Sequence, residues 1–281
     1  MLGTDLPRQL YQIGGAPGAE CRVLPPATGL AGSVHYYWTL DIVAERVVLP
    51  VIPDNALDLV LSPTLADFAE LYFPVDEPFE IALEGPVRYV GVCLGLERAA
   101  RLLGHETETL GRLGAGAETV AALGLGPLIE RLREASGTAE TVAALDDFLH
   151  ERAGTGAEPG SAAAPAAFGC LLEALDAGRV AETARRLGIS ERQLRRESRR
   201  LFGLAPKKLQ RVTRLQRAIG ELVEGLPPTD DYHDDAHRIR EIRALTGWTP
   251  GEIRRLAEIY NTADTARPII APHEPTDGDP R

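Results

Sequence analysis

An arginine-rich segment in the C-terminal half of the chain carries side chains suited to bind a polyanion. Residues 179–217 contain 13 lysines and arginines against 3 acidic residues, a net charge of +10. Residues 1–164 have a net charge of −13, within a chain of net charge −11. Guanidinium groups bind phosphate, and they also pair with the edge of guanine through two hydrogen bonds. The segment therefore predicts contact with nucleic acid, against the alternative of a solvated, arginine-rich helix face.

Two short helices around a tight turn are predicted to position these arginines. Apolar residues follow helical spacing over Val180–Leu187, and Gly188 supplies the turn. Ser190 followed three residues later by Gln193 is the pattern of a capping box, which predicts a second helix beginning at Glu191. Two helices joined in this way form the helix-turn-helix pattern.

The predicted second helix has a buried face and an exposed, basic face. With Leu194 buried, helical geometry places Arg192, Arg196 and Arg199 on the opposite side, as a helix in the major groove requires. The helix N-terminus and the basic residues that follow Pro206 are expected to contact phosphates. The predicted DNA-binding residues are Ser190, Arg192, Gln193, Arg195, Arg196, Arg199, Lys207, Lys208 and Arg211.

Two motifs in this half resemble the AraC/XylS family of transcriptional regulators. GISERQLRR (188–196) and LFGLAPKKLQRVTRLQRAI (201–219) resemble the first helix-turn-helix unit and the connecting helix of that family. YHDDAHRIREIRALTGWTP (232–250) resembles the end of its second unit. In the family, two units read successive major-groove segments, and many members activate transcription through RNA polymerase. The resemblance implies a regulator that binds double-stranded DNA, with RNA polymerase as a further partner.

The second unit departs from the family pattern. Its first helix should lie where only Leu226–Asp231 is present, a segment that is short and interrupted by two prolines. Arg238 stands where the family motif usually has a buried Phe, and Ser198 replaces a frequent aromatic residue in the first unit. Residues 218–262 have a net charge of −4. We therefore expect the second unit to lack a normal core and not to read DNA, with His237 and Arg240 in structural roles.

The fold class predicted for the whole chain is α+β, with a β-barrel or sandwich-like N-terminal domain and an all-α C-terminal domain. Short β-rich segments separated by turn residues favour an antiparallel barrel or sandwich. The predicted strands are Val34–Leu40, Arg46–Ile52, Leu57–Leu61, Phe68–Phe73, Phe79–Leu83 and Val87–Leu94. The predicted helices are Glu97–Leu103, Glu118–Glu134 and Thr141–Ala153, placed beside the barrel or against a second subunit. Segments at 35–40, 53–61 and 91–104 also resemble cupin-like N-terminal domains of the AraC-like regulators.

The composition divides the chain into two domains with a linker and a tail. Residues 1–153 are predicted to sense a ligand or to mediate dimerisation, and 154–165 read as a flexible linker of small residues. Residues 166–261 hold the helix-turn-helix domain, and the proline-rich segment 262–281 reads as a disordered tail. One helix-turn-helix reads few bases, so we expect a homodimer that presents a second recognition helix.

An aromatic cluster is the candidate ligand pocket. On a strand, Tyr36 and Trp38 share one face, and His35 and Tyr37 share the other. One pair is expected either to line a cavity for a small-molecule effector or to serve in ordinary core packing.

Several other classes of function find no support in the sequence. The histidines and the three cysteines lack metal-ligand spacing, and no nucleotide-binding or hydrolase motif is present, so we predict neither a metal, a cofactor nor an enzyme. No signal peptide or membrane-spanning run appears, which predicts a cytoplasmic protein without membrane contact. The alternatives that stay open are a protein-binding regulator that has lost most DNA binding and, less favoured, a barrel-domain enzyme.

Overall fold

In the computed structural model, the described part of the N-terminal half contains seven antiparallel strands that form two sheets. The structure describes residues 9–10, 12, 16–103, 107–154, 180–229 and 232–262. The larger sheet has the order β1-β2-β7-β4-β5, and β3 pairs with β6 in a smaller sheet. The strands are β1 (Ala19–Leu24), β2 (Val34–Ile42), β3 (Arg46–Val51), β4 (Ala56–Ser62), β5 (Phe68–Tyr72), β6 (Phe79–Glu84) and β7 (Val87–Gly95). Six of the seven match predicted strands, whereas β1 was not predicted.

The large sheet buries both of its faces. One face packs towards the small sheet, where alternate residues such as Trp38, Leu40 and Tyr89 form one core. The other face, which includes Leu59 and Val92, packs against helices. Because both faces are buried, the strands read as nearly continuous apolar runs.

Helices cover the second face of the large sheet. They are α1 (Leu96–Leu103), α2 (Thr107–Leu110), α3 (Ala117–Leu123), α4 (Gly126–Glu134) and α5 (Thr138–Gly154). The single helix predicted at 118–134 is wrong, because Gly124 ends α3 in a left-handed conformation and Pro127 lies in the first turn of α4. The buried apolar residues of these helices pack in the core of this chain. The helices therefore lie beside the sheet, and the sheet, not a second subunit, covers their apolar faces.

The C-terminal half is all α-helix where it is described. Its helices are α6 (Val180–Arg186), α7 (Glu191–Phe202), α8 (Pro206–Glu224), α9 (Asp235–Thr246) and α10 (Pro250–Thr262). Together with the two sheets, they confirm the predicted α+β fold with an all-α C-terminal region. Residues 155–179 and 263–281 hold most of the predicted linker and tail, and they lie outside the described residues. None of the helices in the described part of the chain is long and apolar enough to span a membrane.

The two halves share apolar cores. Ile52, directly after β3, packs with Leu215 and Ile219 of α8, and Leu10 joins the same cluster. Polar contacts accompany this packing: the buried side chain of Gln216 donates a hydrogen bond to the carbonyl oxygen of Pro53 at 2.6 Å. The residues after β3 therefore link the sheet domain directly to α8.

Candidate nucleic-acid interface

Helices α6 and α7 form the predicted helix-turn-helix unit. Gly188 has a φ of +64° in the turn between them, a conformation that a side chain would strain. The Ser190 hydroxyl accepts a hydrogen bond from the backbone N–H of Gln193, and the Gln193 side chain accepts one from the Ser190 N–H, both at 3.2 Å. The capping box is thereby confirmed, and it begins α7 at Glu191 as predicted.

The inner face of α7 is held by three fully buried residues, Leu194, Ser198 and Phe202. Ser198 stands at a position where the family often has an aromatic residue. Its hydroxyl donates a hydrogen bond of 2.7 Å to the carbonyl oxygen of Leu204, in the turn after the helix. The small polar side chain therefore contributes a turn contact in place of ring packing.

The outer face of α7 presents a stripe of arginines to solvent. Arg192, Arg195, Arg196 and Arg199 are all exposed, as predicted, and so is Arg200. The stripe is open even though α7 packs onto the rest of the chain through its inner face. It is the geometry that a major-groove reader needs.

Acidic neighbours on α7 hold some of these arginines within hydrogen-bonding distance. Glu191 pairs with Arg195 at 2.8 Å, and Glu197 lies 3.2 Å from Arg196 and 2.9 Å from Arg200. Arg192 and Arg199 form no ion pair within the described part of the chain. Exposed pairs of this kind are weak, so the paired arginines can exchange a carboxylate for a nucleic-acid acceptor at low cost.

The basic residues at the start of α8 have different environments. Lys207 is exposed, whereas the Lys208 ammonium lies 2.6 Å from the carboxylate of Asp76, which comes from the N-terminal half. Arg211 and Arg214 both pair with Glu241 of α9, at 3.3 and 2.8 Å. Sequence reasoning predicted these side chains as phosphate contacts and missed their carboxylate partners, which are remote in sequence.

The second unit has a core despite its missing helix. Residues 225–229 contain no helix, as predicted, but Ile242 and Leu245 of α9 and Ile253 of α10 are buried against α8. The expectation that Arg238 would prevent a normal core is wrong. Arg238 donates a hydrogen bond of 2.9 Å to the buried carboxylate of Glu221, and this ion pair fills the place of an apolar contact.

The outer surface of α9 is mixed in charge. Arg240 and Arg243 are exposed, and so are Asp234 and Asp235 at the N-terminal end of the helix. The Asp234 carboxylate accepts a hydrogen bond from the backbone N–H of His237, which caps the helix and lowers the pKa of Asp234. Arg240 was expected to have a structural role, but its side chain is exposed to solvent.

A cavity of about 210 Å³ lies between the two sheets. Trp38 lines it, as one of the two predicted pocket residues. Tyr36 is fully buried in the same core and does not line the cavity; its hydroxyl lies 3.4 Å from the side-chain oxygen of Gln12. Two further lining residues, Asp54 and Asp58, were missed, although the carboxylate of Asp58 inside the apolar strand β4 was a signal.

The two halves of the chain match the models of two different families. Residues 183–256, from α6 into α10, match the model of a family described as a helix-turn-helix domain. The C-terminal domain is an AraC-type helix-turn-helix domain. This confirms the resemblance found in the sequence. The domain type is that of a non-enzymatic, DNA-binding transcription regulator.

The N-terminal half matches a family without an assigned role. Residues 22–112 match a model described as a domain of unknown function (DUF6597). No curated protein matches the chain. Among the described residues, no group of three histidine, cysteine or acidic side chains is placed to hold a metal ion.

Two solved structures are similar to the chain over most of their length. One is ToxT from Vibrio cholerae O395, with 10% identity and a TM-score of 0.41, covering 86% of this chain and 98% of ToxT. The other is an apo variant of ToxT from Vibrio cholerae strain SCE256, with 9% identity and a TM-score of 0.43, covering 85% and 97%.

Proposed function

We propose that this AraC-type regulator recognises specific DNA sequences with α7, under the control of a small molecule bound in the N-terminal domain. The observation that carries the proposal is the stripe of exposed arginines on a capped helix whose opposite face is fully buried. Arg192, Arg196 and Arg199 contact base edges, and the helix N-terminus at Ser190 contacts a phosphate. The N-cap bonds of Ser190 and Gln193 fix the start of the helix and hence the direction of the stripe.

Phosphate contacts are assigned to the start of α8. Lys207 is exposed and reaches a phosphate as it stands. Lys208 can contact a phosphate only after its ion pair with Asp76 breaks. Arg211 forms an ion pair with Glu241, and its side chain is about one-third exposed. It therefore stabilises the contact between α8 and α9 more than it binds DNA.

Removing the partner of Lys208 should strengthen DNA binding. In Asp76→Asn the ammonium becomes available to a phosphate, and one additional phosphate contact steepens the slope of log K against log salt by about 0.9. The measurement is fluorescence anisotropy with a fixed duplex over a range of salt concentrations. Glu77→Gln removes a neighbouring exposed carboxylate and controls for net charge. Equal slopes in the two variants would contradict the assignment.

The second unit is assigned a bracing role. Arg240→Ala and Arg243→Ala should each weaken DNA binding by under about 0.5 kcal/mol, the range of ordinary surface substitutions, because exposed aspartates flank the helix and its partner helix is missing. The test is the same anisotropy titration together with a footprint. A footprint that spans two consecutive major-groove segments per subunit and shortens in Arg240→Ala would show that α9 reads DNA.

A homodimer supplies the contact area that one recognition helix lacks. Specific sites bound at about 10⁻⁸–10⁻¹¹ M need more surface than a single helix-turn-helix buries. Two copies place two α7 helices on half-sites about one helical turn apart, which predicts a pseudo-palindromic site.

Contacts between the halves provide a route from the N-terminal domain to DNA. The segment Ile52–Asn55 follows β3 and touches α8 at three points: Ile52 packs on Leu215, the Pro53 carbonyl accepts from Gln216, and the Asn55 amide lies 3.3 Å from the Thr213 hydroxyl. The same segment includes Asp54, which lines the cavity. A ligand that moves this segment moves α8, and α8 is joined to α7 by a short turn.

Genome-wide mapping of bound sites, followed by competition against unrelated duplex, tests the proposal. We expect specific sites to be preferred over unrelated DNA by at least about 10³-fold at physiological salt. The second candidate is a protein-binding regulator, favoured by the net negative charge around α9. Equal binding to every duplex, or none, would favour that candidate.

A further inference from the structure

The cavity between the two sheets has a wall that combines aromatic rings with carboxylates. Its aromatic lining residues are Trp38, Phe68, Tyr72, Phe73, Phe79 and Tyr89. Its acidic lining residues are Asp54, Asp58 and Glu70, and among the described residues no lysine, arginine or histidine lines it. Aromatic faces and carboxylates both attract cations, and the described part of this wall holds no cationic side chain to neutralise an anion.

The two aspartates lie deep in the domain, and they keep some accessible surface because they line the cavity. Asp54 accepts hydrogen bonds from the Gln9 amide at 2.8 Å and from the backbone N–H of Ala56 at 3.2 Å. Asp58 accepts one from the indole N–H of Trp38 at 2.8 Å, through Oδ1. Its other oxygen, Oδ2, receives no hydrogen bond from the described residues. The ionised Asp58 carboxylate therefore keeps one oxygen available to a hydrogen-bond donor on a ligand in the cavity.

We propose that this cavity binds an organic cation, with an ammonium group that donates to Asp58 beside Asp54 and an apolar body against the aromatic wall. The inference rests on the proposed function, since it names the chemical class of the effector. A protonated amine supplies a donor for the Asp58 carboxylate and a positive charge beside the two aspartates. A neutral ligand supplies at most the donor, and an anionic ligand supplies neither.

The protonation of Asp58 makes cation binding at this site dependent on pH. Burial raises the pKa of Asp58 to about 8, with a further rise from the nearby charge of Asp54, and burial also raises the pKa of Asp54. At pH 7 the free protein therefore keeps a proton on Asp58. A bound cation stabilises the carboxylate, lowers its pKa and releases that proton, so affinity for a permanent cation rises with pH up to about 8.

Calorimetry with probes that differ only in charge tests the assignment on the full chain. The probes are 2-phenylethylammonium, the neutral 2-phenylethanol and the anionic 3-phenylpropanoate, extended by a series of primary ammonium ions from butyl to 3-indolylethyl. We expect at least one ammonium ion to bind ten-fold or more tightly than the alcohol, and the anion not to bind. Equal affinity for the alcohol, binding of the anion, or no binding across the whole ammonium series would overturn the proposal.

Two single substitutions test whether Asp58 supplies the charge that binds the cation. Asp58→Asn keeps an acceptor for the Trp38 indole and should lose ten-fold or more in affinity for the ammonium probe, with its affinity for the alcohol unchanged. Glu80→Gln removes an exposed carboxylate of β6 that does not line the cavity, and it should bind like the parent chain. Wild-type affinity of Asp58→Asn for the cation would overturn the proposal, provided that thermal unfolding shows the variant to be folded.

Proton release gives a second reading of the same site. Titrations at pH 7 in two buffers of different ionisation enthalpy should show about one proton released per bound ammonium ion, and much less in Asp58→Asn. The other titratable groups at the site are Asp54, Glu70, Tyr36, Tyr72, Tyr89 and Cys93. Burial raises the pKa of the tyrosines and of Cys93, so these groups keep their protons at pH 7. Binding without proton release would contradict the role of Asp58.

DNA binding by the chain without any probe separates the two proposals. A chain that binds its DNA site but no ammonium ion overturns the effector class alone. A chain that binds the ammonium ion with proton release, yet prefers no DNA sequence, supports the cation site and contradicts the proposed function.

Discussion

Replacing Arg196 with alanine should weaken specific DNA binding by about 1–3 kcal/mol, which is roughly five- to 150-fold in the dissociation constant. Arg196 is exposed in the middle of the outer face of α7, opposite the fully buried Leu194. Among the described residues it forms an ion pair with the adjacent Glu197 alone, at 3.2 Å, and exposed pairs of this kind add little to stability. The loss should therefore come from DNA contact and not from unfolding.

Two comparisons sharpen this test. Arg196→Lys keeps the charge but loses the planar fork, so it should retain the salt slope and lose sequence preference. Arg46→Ala removes an exposed arginine of β3 in the N-terminal half and should leave DNA affinity nearly unchanged. Anisotropy titrations with the specific duplex and with unrelated duplex measure both quantities. Parental affinity in Arg192→Ala, Arg196→Ala and Arg199→Ala alike would reject α7 as the reading helix.

Replacing Arg238 with alanine should destabilise the C-terminal domain by about 3–5 kcal/mol. The side chains of Arg238 and Glu221 are only 11% and 4% exposed, and they lie 2.9 Å apart. Alanine leaves the Glu221 carboxylate buried without its cation, and an uncompensated buried charge is far more costly than a lost surface pair. Urea unfolding followed by circular dichroism measures the change.

An apolar pair in place of Arg238 and Glu221 should restore the stability that Arg238→Ala removes. In Arg238→Phe combined with Glu221→Leu, no charge is left buried, and well-packed apolar replacements of buried ion pairs are often neutral or stabilising. Glu221 also accepts a hydrogen bond from the backbone N–H of Thr229, but Thr229 is exposed, so water can replace that contact. If Arg238→Ala costs under about 1 kcal/mol, or if the double variant is no more stable than Arg238→Ala, the ion pair does not hold the second unit together.

Features that depend on residues close in sequence were readable from the sequence. The six correctly predicted strands are β-rich runs bounded by turn residues. Strand β1 was not predicted because it is a short edge segment with two charged residues, which gives a weak signal. The helix-turn-helix unit was readable because its capping box joins Ser190 to Gln193 within one turn, and because helical spacing alone places the arginines opposite Leu194.

Features that depend on pairs remote in sequence were decided only by the tertiary structure. The core of the second unit depends on Arg238 of α9 meeting Glu221 of α8. Likewise, Lys208 looks like a free phosphate ligand until the fold brings Asp76 to it. The cavity has the same origin, because its wall takes residues from six strands. Local spacing determines which way a side chain points, but only the packed chain determines what it meets.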